Sequence, residues 1–304
     1  MKQIYDKPFL TPERQVEILI SRGLLVTDKE EAIRWLRRIG YYRLTGYLYP
    51  FRDANRSFLE GTSIQHALSL YVFDKKLRLL VLDAIERIEV AVRVEIALLL
   101  GARDPLAHLN PRLLHINFSE KFSPDSGKTK HQAWMEKFDR SIAETRKDSV
   151  PYFLEQYGNH MPIWVAIEVW DFGMLSRFFN GMQKADQKHI AQLFGVSNEK
   201  TMANWLAHIN LLRNIAAHHG RLWNRKLAIT PSFKGVENLD SLQRWLKDEE
   251  SQIFVAASIA ILDHLISVTQ PDSEWSNRMI KFLKDFPDVP NISVAQMGLD
   301  PLRF

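Results

Sequence analysis

A chain of 304 residues that is 46% hydrophobic and 25% charged can bury a core, which excludes a disordered polymer. It has no cysteine, which excludes a disulfide framework, thiolate zinc sites and cysteine nucleophiles, and suits a reducing cytoplasm. The formal net charge of +4 is compatible with an anionic partner without demanding one.

Taken in order, the N-terminus MKQIYDKPFLTPERQ has no apolar leader, and charge breaks every apolar run short of a membrane span. No membrane partner is expected. Residues 1–60 read as a small helical extension. Thr11-Pro12 predicts an N-cap followed by proline at the first helical position, with Gly23 as the stop. Thr27-Asp28-Lys29-Glu30 matches a capping box and opens a second helix toward Gly40. The pair resembles a helix-turn-helix. Its second helix carries Arg34, Arg37 and Arg38, followed by Tyr41, Tyr42 and Arg43. These can contact a nucleic-acid backbone and stack on bases, or form a solvated face beside a packed aromatic turn.

From Ser63 to about Leu100 there is no Pro and no Gly, and Leu70, Phe73, Leu77, Leu80, Ala84, Ile88 and Ala91 recur at helical spacing. Leu79, Leu82, Ile85 and Val92 widen the stripe, which predicts a central helix buried on most of its circumference. Its charges are Asp74, Glu86, Glu89, Arg93 and Glu95. Glu89 and Arg93, four apart, suit a helix-stabilising pair; the sharper alternative is an acid that orients a catalytic group on a neighbouring helix. Gly101 to Ser126 is loop-rich. Further helices are expected at about 129–147, after Pro151, and from Pro162 with a break at Gly173. Another ends at Gly195, and three more cover about 238–249, 250–269 and 273–285. No period-2 strand appears. The prediction is an all-α helical bundle over 61–304, preceded by the helical extension 1–60.

Between Asn198 and Arg225 an apolar, helix-periodic run closes on RNIAAHHGRLWNR, and no Asp or Glu occurs from Lys200 to Val236. Asn214 and His218 lie within about 40° of each other on a helix, whereas Arg213 and His218 are about 140° apart. Both reach one phosphate only if the helix end distorts or a second copy contributes. Neutral imidazole exchanges protons near pH 7, and guanidinium forks onto phosphate oxygens. Together they suit metal-free RNA cleavage, in which a 2′-hydroxyl attacks its own phosphate. The same residues also suit a well-ended helix, with cations by the last carbonyls and Gly220 just past the end.

RNIAAHHGRLWNR resembles the hallmark of the Abi-like (abortive infection) bacterial proteins. So, in order, do KPFLTPERQVEILISRGL, IGYYRLTGYLYPFR, LYVFDKKLRLLVLDAIERIEVAVR and PIWVAIEVWDFGMLSRFF, with MGLDPLRF similar to a degraded C-terminal block. The resemblance implies the α-helical HEPN ribonuclease superfamily. It assigns Arg213 to the phosphate, Asn214 as polar companion and His218 as the catalytic histidine, with His219 able to exchange roles with it. It implies a homodimer that juxtaposes two motifs, and a structured non-coding RNA as a further partner beside the RNA substrate. Gly220 stands where nucleotidyltransferase-paired relatives carry tyrosine, which argues against that toxin type. Arg221, Arg225 and Lys226 are expected to contact RNA backbone, with Trp223 as packing or a stacking platform.

No His-Glu-x-x-His, carboxylate cluster or Gly-rich phosphate loop points to a metal or cofactor, so neither is expected. Arg103 and His108 share the Arg-x4-His spacing, but Asp104-Pro105 breaks the helix between them. Two other classes of function remain: a non-catalytic RNA-binding module using the same arginines, and a DNA-binding regulator using Arg34, Arg37 and Arg38.

Overall fold

The computed structural model describes residues 8–145, 149–158 and 160–300. Three expectations lie partly outside them: the absent leader at Met1, the helix end at Lys147 and the last residues of MGLDPLRF. Fourteen α-helices form among the described residues. The first four are α1 (Pro12–Ser21), α2 (Lys29–Ile39), α3 (Tyr41–Leu48) and α4 (Ile64–Gly101). Next come α5 (Ile116–Ser119), α6 (Lys130–Glu144), α7 (Ser149–Tyr157), α8 (Ile163–Ala166) and α9 (Phe172–Gly181). The remainder are α10 (Lys184–Leu193), α11 (Glu199–Ala217), α12 (Gln243–Lys247), α13 (Val255–Thr269) and α14 (Trp275–Lys284). Among the described residues no strand forms, only isolated bridges such as Leu25 to Ser63.

The bundle is assembled on α4. Ser63 accepts a hydrogen bond from the His66 N–H, and the His66 ring accepts one from the Ser63 N–H, so two of the unpaired donors at the helix start are satisfied. From that cap α4 runs 38 residues, about 57 Å. Its stripe from Leu70 through Phe73, Leu77, Ala84 and Ile88 is buried against α3, α11 and α13. Glu89 pairs with Arg93 on its own helix, and Arg93 also donates to the Trp170 carbonyl, so this pair ties α4 to the α8–α9 connection.

Local chemistry sets the other boundaries. Thr11 caps α1, with Pro12 at the first helical position. Asp28, not Thr27, caps α2 through the Glu31 N–H at 2.9 Å, one residue later than expected, because a carboxylate outcompetes the hydroxyl for the orphan donor. Gly23 and Gly195 lie just past α1 and α10 with φ of 91° and 72°, a left-handed conformation that ends a helix. Gly173 breaks nothing: it sits in the first turn of α9. The break comes at Trp170-Asp171, where the Asp171 side chain accepts from the Met174 N–H at 2.7 Å and starts the helix. Trp170, Phe172, Phe178 and Phe179 are core.

The stretch Tyr41–Leu48, expected as an aromatic turn, is helical and places Leu44, Tyr47 and Leu48 against α4. Residues 218–239 form no helix yet are pinned back along α11. The Trp205 indole donates to the Ser232 carbonyl at 2.6 Å, Thr201 to the Lys234 carbonyl at 2.6 Å, and the Ser232 N–H to Asn204 at 2.7 Å. Side chains of one helix thereby satisfy the backbone of an irregular run that has no ladder of its own.

Candidate functional site

α11 ends in a Schellman arrangement. The His219 N–H donates to the Ala216 carbonyl at 3.1 Å, and the Gly220 N–H donates to the Ile215 carbonyl at 2.8 Å. The residue in the left-handed conformation is His219, with φ of 58°, and not Gly220 as the sequence pattern suggested. Gly220 answers a different need. A Cβ there would lie 3.1 Å from both Cγ2 and the carbonyl oxygen of Ile215, so the chain can fold back this tightly only without a side chain.

The returning chain is seized from beneath by α4. Asp74, fully buried, accepts the Leu222 N–H at 3.1 Å and the Trp223 N–H at 2.8 Å. It also accepts the Tyr47 hydroxyl at 2.6 Å and the Arg78 guanidinium, which itself donates to the Gly220 carbonyl at 3.3 Å. Burial pushes the Asp74 carboxyl above its usual range, against the pull of Tyr47, Arg78 and the two backbone donors. Burial, then the neighbouring Asp74 charge, raises the Tyr47 phenol as well. One acid of α4 does reach the motif. It grips main chain, and no catalytic side chain.

Held this way, the helix end forms one wall of a cleft of about 730 Å³. His218, His219, Gly220, Arg221 and Arg225 line it on one side; Tyr42, Arg43, Thr45, Gly46, Tyr49 and Arg52 face them from α3 and the turn after it. Both histidines are solvent-exposed. The lining includes four arginines and no carboxylate. Arg221 donates to the Gly46 carbonyl and so joins the two walls; one of the three residues expected to contact RNA backbone is a structural clasp.

The remaining predicted residues separate. Arg213 and Asn214 are half-buried, with the Arg213 guanidinium 3.3 Å from the Asn214 side-chain oxygen, and neither lines the cleft. Lys226 is exposed but also lies off it. Trp223 is 0% exposed and packs beside Phe286, so a stacking role is corrected: it has no face free for a base. Sequence reasoning missed Tyr49 and Arg52. They lie about 170 residues upstream of the histidines, and only the docking of α3 brings them across. Of the three arginines on α2, Arg34 and Arg37 reach Asp28 and Glu13 at 4.0 and 2.9 Å, and Arg38 lies over the Trp35 ring.

The Arg103–His108 spacing is accidental in space too. Arg103 forks onto Asp186 at 2.8 and 2.6 Å, and His108 is buried. Among the described residues, no group of three or more His, Asp or Glu side chains could hold a metal ion, and no helix is long and apolar enough to cross a membrane.

The family model described as Abi-like protein matches residues 34–224, more than half of the chain. The chain belongs to this family. The Abi-like match spans both walls of the cleft, the α4 anchor at Asp74 and the motif through Asn224, and stops before Arg225 and Lys226. Membership places the protein with abortive infection, a defence against phage. No curated protein and no solved structure matches it.

Proposed function

We propose that the cleft binds RNA and that this Abi-like protein is a metal-independent endoribonuclease of phage defence in the bacterial cytoplasm. One observation carries the reading: two solvent-facing imidazoles share a cleft with four arginines and no carboxylate. Neutral imidazole removes the proton of a 2′-hydroxyl, and the resulting oxygen attacks the adjacent phosphorus. The bond to the 5′-oxygen breaks, and that oxygen takes a proton from an imidazolium, leaving a 2′,3′-cyclic phosphate and a 5′-hydroxyl. His218 and His219 supply base and acid. Arg225 and Arg43 hold the phosphates, and their charge stabilises the dianionic transition state.

In a single chain neither Arg213 nor Asn214 lines this cleft. In the proposed homodimer they reach the scissile phosphate of the other copy's cleft. Arg225 in a cleft lining without carboxylates, with exposed Lys226 next to it in the chain, also suits a structured non-coding RNA partner. A binding-only reading draws on the same displacement of Arg213 and Asn214, since a single chain then has no complete motif.

Cleavage of end-labelled RNA in EDTA separates the two. Fragments ending in 2′,3′-cyclic phosphate, lost in Arg213→Ala and His218→Ala, are the expected result. Retention of tight RNA binding without any cleavage, by wild type and His218→Ala alike, would establish the binding-only reading.

A further inference from the structure

Across the cleft from the histidines, Tyr42 and Tyr49 stand 92% and 69% exposed. Other large rings, such as Phe122 and Trp164, are exposed elsewhere on the surface; these two share the lining of one cleft. Their placement is regular. Tyr42, Thr45, Gly46 and Tyr49 follow the i, i+3, i+4, i+7 pattern that puts residues on one helix face, and all four line the cleft. Gly46, between the rings, presents its carbonyl to Arg221 in place of a side chain. Arg43 and Arg52 lie beside the tyrosines, so cations and aromatics interleave along the wall.

We infer that this wall is a base-stacking platform that makes the site specific for single-stranded RNA, with Tyr42 and Tyr49 as the specificity-determining residues. The inference rests on the reading of the cleft as an RNA site. Seven positions along α3 and the turn that continues it set the backbones under the two rings about 10 Å apart, well beyond the about 3.4 Å between stacked bases of a duplex. A duplex offers base faces only at its ends. A single strand can turn two splayed bases onto two rings while its phosphates run past Arg43, Arg52 and Arg225. It also delivers a flexible 2′-hydroxyl and phosphate toward His218 and His219, the geometry in-line attack needs and a rigid helix withholds. The stacking uses ring faces, so the phenolic hydroxyls are dispensable.

The test is fluorescence-anisotropy binding of a 12-nucleotide 2′-fluoro RNA, which lacks the hydroxyl nucleophile, as a single strand and as a blunt duplex. Tyr42→Ala/Tyr49→Ala should weaken single-strand binding at least tenfold. Tyr42→Phe/Tyr49→Phe should bind as wild type does, and duplex binding, weaker at the start, should not change. The slope of log affinity against log salt should be the same in the tyrosine variants and wild type, because no phosphate contact is lost, and should fall by roughly 0.7 in Arg43→Ala. Single-strand affinity within twofold of wild type in the double alanine variant, or equal losses for strand and duplex, would overturn the inference. Because binding is read without cleavage, the outcome stands apart from the nuclease reading. Cleavage that needs His218 with Tyr42 and Tyr49 dispensable defeats only the platform; stacking without cleavage defeats only the nuclease.

Discussion

Histidine serves two opposite ends in this molecule. His108, His131, His208 and His264 are buried, whereas His218 and His219 stand in water at the end of α11. Three of the buried rings, those of His131, His208 and His264, act as hydrogen-bonded struts. His208 bridges the Ile229 carbonyl and the Ser258 hydroxyl, each at 2.7 Å; His131 meets the His108 carbonyl at 2.8 Å and His264 the Phe194 carbonyl at 3.0 Å. Burial lowers the pKa of all four, which keeps them neutral and fixed. The exposed pair faces the cleft instead of the core. Residue type alone does not separate a buried strut from a proposed reagent; what surrounds the ring does.

The exposed pair nevertheless depends on buried charge. The largest expected effect is at Asp74, because its removal leaves Arg78 buried without its partner and frees the Leu222 and Trp223 N–H groups. Asp74→Ala should cost about 3–5 kcal/mol in urea unfolding and collapse the cleft. A loss below about 1 kcal/mol would mean the motif loop is held by something other than α4.

Next comes the direct exchange between the two classes. His208→Ala should destabilise by about 1–3 kcal/mol, since two buried polar groups lose their partner, while His218→Ala should stay within about 0.5 kcal/mol of wild type. The expected RNA cleavage follows the reverse order, with loss on the order of 10²-fold or more in His218→Ala and little in folded His208→Ala. Equal destabilisation by both substitutions would erase the distinction.

The third prediction is acid lability. His108 has both ring nitrogens buried without a partner, between Phe138 and Trp170. Burial, with the nearby His131 adding repulsion and Asp104 opposing, lowers its pKa to about 4. The unfolded chain, titrating near 6.5, therefore binds more protons than the folded one between these values. Stability is complete above about pH 6.5 and is lost as pH falls toward 4, by about 1 kcal/mol at pH 5.5 from this ring alone. The thermal midpoint of His108→Phe should fall less between pH 7.5 and 5.5 than that of wild type. An identical fall in both would place the lability elsewhere.

How much of this could be read in the chain follows from how local each cause is. The cap at Thr11, the helix starts near Ser63 and Thr129 and the stripe of α4 are set by residues within a few positions, and the helices read from them are present. α3 escaped because Tyr41 to Leu48 is aromatic-rich and contains Gly46; its helix is imposed by packing Leu44, Tyr47 and Leu48 onto α4. The histidine wall of the cleft was legible as a motif. On the other wall Tyr42 and Arg43 are legible as a separate basic-aromatic patch, Tyr49 and Arg52 are not, and nothing local says that the two walls face each other. Asp74 was one of several acids on a buried helix; what singles it out is a pair of N–H groups 148 and 149 residues downstream.

The smallest effect has the most pointed meaning. His219 occupies the left-handed position at the end of α11, where a side chain with a Cβ costs about 1 kcal/mol relative to glycine. Its ring is exposed and faces the cleft, so no packing offsets that cost. His219→Gly should therefore raise stability by up to about 1 kcal/mol, measured as a higher urea midpoint at unchanged m. The same substitution should slow RNA cleavage if His219 is the second proton carrier. Gain of stability with loss of cleavage would place both histidines in the reaction. Gain of stability with full cleavage would leave His218 alone there and make His219 only the residue that ends the helix.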